Sequence, residues 1–422
     1  MPKLGKKYPA VIAIIIAASL LAAFLVNSYI ANSNRLPYET QAEKIYTSAI
    51  EEIENLRGIT VPRLPLIVIT EDQAVKLWAG GSSNPDLTGF RRDENIYKGL
   101  FMMKENESLY QAQTDWVGAW IAVTWNNSIY VVTKYFNPYD TINAESTLVH
   151  ELTHVMQGNQ DIPQQAYSTF DADKARGAMA EGDAVYTQNF FTNGNKPPSV
   201  NVDFTLTGLF ALQPVNPLLN NVHASIPNSI SNLNYFPYTY GDSFISQLYN
   251  MGGWSQVNQI YKNPPNNTQQ ILHPDKYLQG VNPAPPQAPT LKQADWNQIL
   301  NNTYGEYFMR DMLNTWLSTN ESKTTASEWN GDNLTYYEDS NNNFLYTWNT
   351  TWASPDSAKT FISAFNDMTR ATRATSDSQG TFLTNGRYLT ISWNGHNSTL
   401  IACSSNKTAV GYANLDIQST IV

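Results

Sequence analysis

His150-Glu151-Leu152-Thr153-His154 sets two imidazoles four residues apart, with a carboxylate directly after the first. In a helix four residues advance about 400° and 6 Å, so both rings share one face and can ligate one ion. With five histidines in the chain, chance produces such a pattern in on the order of a few sequences per thousand. The spacing points to zinc, and a hydrolytic zinc needs a third protein ligand and an open position. His223, His273 and His396 are available, but none completes the short H-E-x-x-H-x-x-G-x-x-H pattern, whose positions hold Gln157 and other non-ligands. The better third ligand is Glu181, because a carboxylate among Ala178, Met179, Ala180 and Ala184 is costly to bury without a cation. The chemistry implied is metal-assisted hydrolysis, with Glu151 taking a proton from the attacking water and delivering it to the leaving amine.

These residues need helices to present them. Apolar spacing predicts a helix over about 143–157 that turns Leu148, Leu152 and Val155 to the core and ends at Gly158, and a second over 171–192 entered through Ser168. Before them the sequence predicts a helix over 39–57, a buried strand Leu64 to Thr70 and a helix over 71–79 closed by Gly80-Gly81. A loop over 82–98 follows, then strands Trp116 to Trp125 and Ser128 to Tyr135 around the Asn126-Asn127 turn. Residues Ile129 to Val132 either offer an edge to an extended peptide or lie inside a sheet. After a Pro- and Asn-rich interval from 195 to 238, Tyr240 to Tyr249 mark a helix ending at Gly252-Gly253. A Pro-rich excursion over 263–290 holds one helical turn at Thr268 to Leu272, and residues 305–318 form another helix. Past about 324 come short strands at 333–338, 343–352, 387–394 and 398–403 around a helix that starts at Ser354-Pro355.

With Glu181 in Ala180-Glu181-Gly182-Asp183-Ala184, the chain resembles the gluzincin zinc metallopeptidases, in a branch with H-E-L-T-H followed by E-G-D-A. Phe236-Pro237-Tyr238 with Gly241, Gly252-Gly253-Trp254, Gln270-Ile271-Leu272-His273-Pro274 and Trp329-x-Gly331-Asp332 extend the likeness over most of the chain after about residue 120. It implies an α+β, zincin-like metallopeptidase domain that binds Zn2+ through His150, His154 and Glu181, with Glu151 as general base. It also implies a Tyr or His donor to the oxyanion, for which Tyr238, Tyr240 and His273 are candidates. One position departs from the pattern: gluzincins often carry an acid four residues after the ligand glutamate, and here that residue is Val185. Asp183 lies about 200° round the helix and cannot replace it directly, so it is either a structural contact or a functional group.

The length of 422 residues suggests two domains, and a net charge of −10 with a pI near 5.0 argues against nucleic acid as a partner. Cys403 is alone and reads as a small buried hydrophobe. Lys3, Lys6 and Lys7 precede an apolar run from Ala10 to Val26 that weakly polar residues extend to Ala31. A poor cleavage site at Tyr29 to Ala31 favours an uncleaved anchor over a signal peptide, and the lysines place the remainder outside the cytoplasm. Nine Asn-x-Ser/Thr acceptors, at Asn106, Asn126, Asn266, Asn301, Asn320, Asn333, Asn349, Asn397 and Asn406, agree with a surface glycoprotein. The expected organisation is a cytoplasmic tail (1–9), a transmembrane anchor (10–31), a catalytic domain (38–320) and a small α+β C-terminal domain (325–422). The expected function is an outward-facing, membrane-anchored zinc peptidase acting on peptide or protein substrates. The alternatives are a catalytically silent binding or assembly protein and a zinc amidase on a non-peptide envelope substrate. Oligomeric state leaves no mark in the sequence.

Overall fold

The structure, a computed structural model, describes residues 35–81, 85–159, 169–198, 226–287, 295–377, 380–384, 386–393, 395 and 397–410. Helix α1 (35–57) leads to β1 (Leu66–Ile69), α2 (Glu71–Trp78), α3 (Thr88–Gly99) and α4 (Leu109–Val117). The hairpin of β2 (Ala122–Trp125) and β3 (Ser128–Val132) then opens onto three long helices, α5 (Thr141–Gly158), α6 (Phe170–Thr192) and α7 (Asn228–Asn258). Two short helices, α8 (Thr268–Leu272) and α9 (Pro274–Leu278), precede β4 (Trp296–Asn302), α10 (Gly305–Asn314) and α11 (Thr319–Ala326). The chain continues through β5 (Trp329–Asp339), β6 (Phe344–Trp352), α12 (Pro355–Ala371), β7 (Thr375–Ser376), β8 (Phe382–Thr384), β9 (Arg387–Trp393) and β10 (Ser398–Ser404). The fold is α+β, as the sequence predicts.

A small sheet of order β1-β3-β2 packs beside the long helices, with β1 parallel and β2 antiparallel to β3. Ile129 to Val132 is therefore an interior strand with both edges paired, and among the described residues the sheet's unpaired edges belong to β1 and β2. The turn between β2 and β3 puts both Asn126 and Asn127 at positive φ, which suits the twist of a two-residue hairpin. The second sheet is an antiparallel array of order β4-β5-β6-β10-β9-β8-β7. β4, within the stretch 38–320, pairs with β5, so the second sheet spans the division expected near 325. One contiguous core runs from α1 through α5, α6 and α7 to Trp348, Trp352 and Phe361 of the second sheet and its helix.

Two further expectations are corrected. The segment expected as a loop over 82–98 holds α3, whose Ile96, Tyr97, Gly99 and Leu100 are buried. A β-carbon on Gly99 would lie 2.5 Å from Tyr346 Oη, so contact with the distant sheet stabilises a helix that local propensity does not announce. The strand expected from Trp116 is helix α4 as far as Val117, capped by the Ser108 side chain accepting from Gln111 N, and the strand begins only at Ala122. The entry to α6 is capped by Thr169, and Ser168 lies outside the described residues. Among the described residues no helix is long and apolar enough to cross a membrane, and the span expected at 10–31 falls outside them. Of the glycan acceptors, Asn333 is buried and bonded to Asn301 in the neighbouring strand, so it is not a surface acceptor, whereas Asn106, Asn126, Asn301 and Asn320 are exposed.

Helix α1 is integral to the core. Ala42, Tyr46, Ala49 and Ile53 are fully buried and Arg57 reaches inward, so this helix is no detachable cover.

Candidate metal centre

Helices α5, α6 and α7 each contribute to one cleft of about 460 Å³. Along α5, Leu148, Leu152 and Val155 face the core while His150 and His154 face the cleft, the division that the apolar spacing predicts. Helix α6 passes antiparallel behind them and delivers Glu181. What allows α7 so close is a glycine pair: a β-carbon on Gly182 would sit 2.3 Å from the Gly241 carbonyl carbon, and one on Gly241 2.2 Å from Ala178 O. Three residues before Gly241, this contact brings Tyr238 over the ligands, where its ring stacks at 13° to that of His150.

The donor atoms form a near-equilateral triangle. His150 Nε2 and His154 Nε2 are 3.2 Å apart, and Glu181 Oε2 is 3.3 Å from the first and 3.4 Å from the second. Ligands at about 2.0–2.1 Å from a tetrahedral zinc are spaced at about 3.3–3.4 Å, so the triangle fits the ion with one position left open. Glu181 Oε2 is buried without a hydrogen-bond donor, which a cation would satisfy. Charge agrees. Burial alone would lower the His154 pKa, but the Glu181 carboxylate, together with Glu151 and Gln157, outweighs it and lifts the imidazole to about 10. Burial likewise favours neutral Glu181, yet the two histidines hold that carboxyl below the usual range. The pocket thus stabilises positive charge at the point where the three donors converge.

Glu151 also lines the cleft but takes no part in the triangle. Its carboxylate accepts a 2.7 Å hydrogen bond from the Thr124 hydroxyl of β2, which fixes it beside the triangle of donors. Of the three candidate oxyanion donors the structure brings only Tyr238 to the site. Burial, then the charges of Glu181 and Glu151, push its phenol well above its ordinary pKa, and the protonated hydroxyl donates to Glu181. Tyr240 packs instead among Phe236, Tyr307 and Arg310. His273 starts α9 and bonds Glu306 Oε1 at 2.7 Å, away from the cleft. His223 and His396 lie outside the described residues.

No acid stands four residues after Glu181, and His154 is joined instead to a relay of hydrogen bonds. Gln157 Nε2 donates to the Ala180 carbonyl at 2.9 Å, so its Oε1 must face His154 Nδ1, also at 2.9 Å, leaving His154 Nε2 free to ligate. Gln157 also hydrogen-bonds Tyr261, whose hydroxyl donates to Asp183. Asp183 is fully buried and paired with Arg57 of α1 at 2.8 Å; Arg57 in turn bonds Thr187 and Asn258 and lies 4.2 Å over the Trp254 ring. Asp183 therefore touches neither ligand histidine, yet is joined to one through two neutral side chains. Sequence reasoning missed Thr124, Gln157, Tyr261 and Arg57, since no local pattern links residues so far apart in the chain. Val185, at the position of the absent acid, faces the cleft.

The remaining sequence matches are junctions. Asp332 accepts from Tyr304 N, Gly305 N, Trp329 Nε1 and Trp348 Nε1, and Gln269 of α8 donates to Trp329 O, tying the second sheet to the helices.

Residues 294–409, from just before β4 through β10, match a family described as a domain of unknown function (DUF8575), a stretch that contains none of the cleft residues. No curated protein and no solved structure matches the chain.

Proposed function

We propose that the protein is a zinc peptidase with a gluzincin-like, zincin-type catalytic unit, anchored by its N-terminal apolar run with the body outside the cytoplasm. The observation that carries this reading is the convergence of His150, His154 and Glu181 on one point, with Glu151 held beside it by Thr124 in an open cleft. Zinc, when bound by those three residues, supplies the Lewis acidity that acidifies a water and polarises a carbonyl. Glu151 accepts the proton of the attacking water and returns it to the leaving amine. Tyr238 keeps its proton and turns its one hydrogen bond from Glu181 to the substrate oxygen where negative charge develops. The outer edge of β2, unpaired among the described residues, offers backbone groups to an extended peptide, and Trp116, Trp120 and Tyr235 provide an apolar wall for a side chain.

A binding or assembly protein with a structural zinc needs ligands but no general base, and the held Glu151 favours the enzyme. An amidase would use the same groups on another substrate. The test is to incubate the purified protein with an unstructured protein and with cell-envelope extract, with and without chelator. Chelator-sensitive release of peptides supports the peptidase; release from the envelope extract alone transfers the reading to the amidase. The Glu181→Ala variant should lose zinc by elemental analysis while remaining folded, and full retention would move the third ligand elsewhere.

A further inference from the structure

The three most exposed large hydrophobic side chains among the described residues are Leu36 at 69%, Ile142 at 66% and Tyr139 at 61%. They come from two distant parts of the sequence, the start of α1 and the entry to α5, and the fold sets those parts side by side. Tyr38 donates to Phe136 O at 2.7 Å, and Ser48 of α1 bonds Glu145 of α5. Tyr139 follows Phe136 by three residues, and its phenol adds to the burial that raises the Tyr38 pKa to about 12. The apolar run that ends at Ala31 lies only five residues before Leu36, so an extended chain cannot carry Leu36 more than about 18 Å from the end of that run.

We propose that this end of the body rests on the lipid bilayer, with Leu36, Tyr139 and Ile142 at headgroup depth, and that the cleft consequently acts on membrane-proximal segments of other anchored proteins. The occupant is the bilayer because the apolar run joins the body at this patch, and tyrosine and aliphatic side chains suit the membrane interface. The substrate part rests on the peptidase reading above. Its reasoning is one of reach. The cleft extends along α5 to Thr147, five residues or about 7.5 Å from Ile142, and His150 is eight residues or about 12 Å away. Whatever the tilt of α5, a bond at the metal position lies within about 20 Å of the patch, a height that an extended chain leaving the bilayer reaches in about six residues.

The chain has one cysteine, Cys403, and it is buried, so single-cysteine variants at exposed sites can be labelled selectively. The full-length protein, reconstituted in phosphatidylcholine vesicles that carry a headgroup-depth spin-label quencher, is labelled at Ile142→Cys or, as a control, at Trp125→Cys on the far hairpin. Strong quenching at 142 with little at 125 is expected; equal quenching at both positions, or none at either, overturns the docked surface. This arm involves no catalysis. In a second arm one cleavable segment is placed about six or about forty residues from a bilayer anchor, or supplied free. Preference of about tenfold or more for the near position is expected. Equal cleavage of all three keeps the peptidase and overturns the membrane-proximal substrate, whereas cleavage of none, with quenching intact, overturns the peptidase reading and leaves the surface standing.

Discussion

Gln157 is the residue on which the proposed metal geometry turns most quietly. Its Oε1 faces His154 Nδ1, which on the zinc reading leaves Nε2 for the ion, and it is itself held from two sides by the Ala180 carbonyl and Tyr261. Gln157→Leu keeps the volume but removes both polar functions, so zinc affinity should fall about 10-fold to 100-fold, the cost usual for losing a partner of a ligand histidine. A chelator-competition titration on folded protein measures it; unchanged affinity would show that the relay to Asp183 and Arg57 is structural only. That His150 and His154 share one face was readable in the sequence because H-E-x-x-H encodes its own geometry on one helix. Glu181 was readable because a carboxylate in a run of small apolar residues has few bland explanations. Thr124, Tyr261 and Arg57 were not, because their roles arise where β2, the turn after α7 and α1 meet the site, and nothing in their local sequence announces that meeting.

At the scale of elements, the crossing of α6 and α7 sets how far Tyr238 stands from Glu181. Gly241→Ala would place a methyl carbon 2.2 Å from Ala178 O and force the helices apart. Destabilisation of about 1–3 kcal/mol is expected, together with a fall in turnover larger than any fall in zinc affinity, since the ligands sit on α5 and α6 while Tyr238 moves with α7. Thermal unfolding and kinetics on the same sample check it, and a stable, fully active variant would sink the claim that this contact positions Tyr238. Elements with their own punctuation were legible: α8 lies at Thr268–Leu272 as expected, α12 starts after Ser354, and α7 breaks at Gly252 and Gly253, where the backbone leaves helical geometry. Elements decided by remote partners were not. α3 is stabilised by the second sheet, and β4, a polar strand with a register shift between Gln298 and Leu300, is specified by its pairing with β5.

The whole molecule is acidic and buries several carboxyls without cations, which gives its stability a definite pH dependence. Burial, only partly offset by a hydrogen bond from Asn189, raises the Asp242 pKa to about 7. Its folded pKa is above its unfolded one, so the folded state holds the extra proton between about pH 4 and 7. The stability this gives is fully present below that window and is lost as pH rises through it, at up to about 1.4 kcal/mol per pH unit. Asp242→Asn should therefore lose less melting temperature than the natural chain between pH 5 and 7.5; parallel losses would mean that Asp242 stays charged. The proposed function turns at this scale on whether the cleft performs hydrolysis. The most direct measurement compares the zinc-loaded natural protein with Glu151→Gln on a broad peptide library, with zinc content determined for both. Equal zinc and a loss of hydrolysis of at least about 10²-fold to 10⁴-fold is the predicted result, because the change removes a proton acceptor and leaves all three ligands. No hydrolysis by the natural protein, or a glutamine variant that matches it, would contradict catalysis by this site.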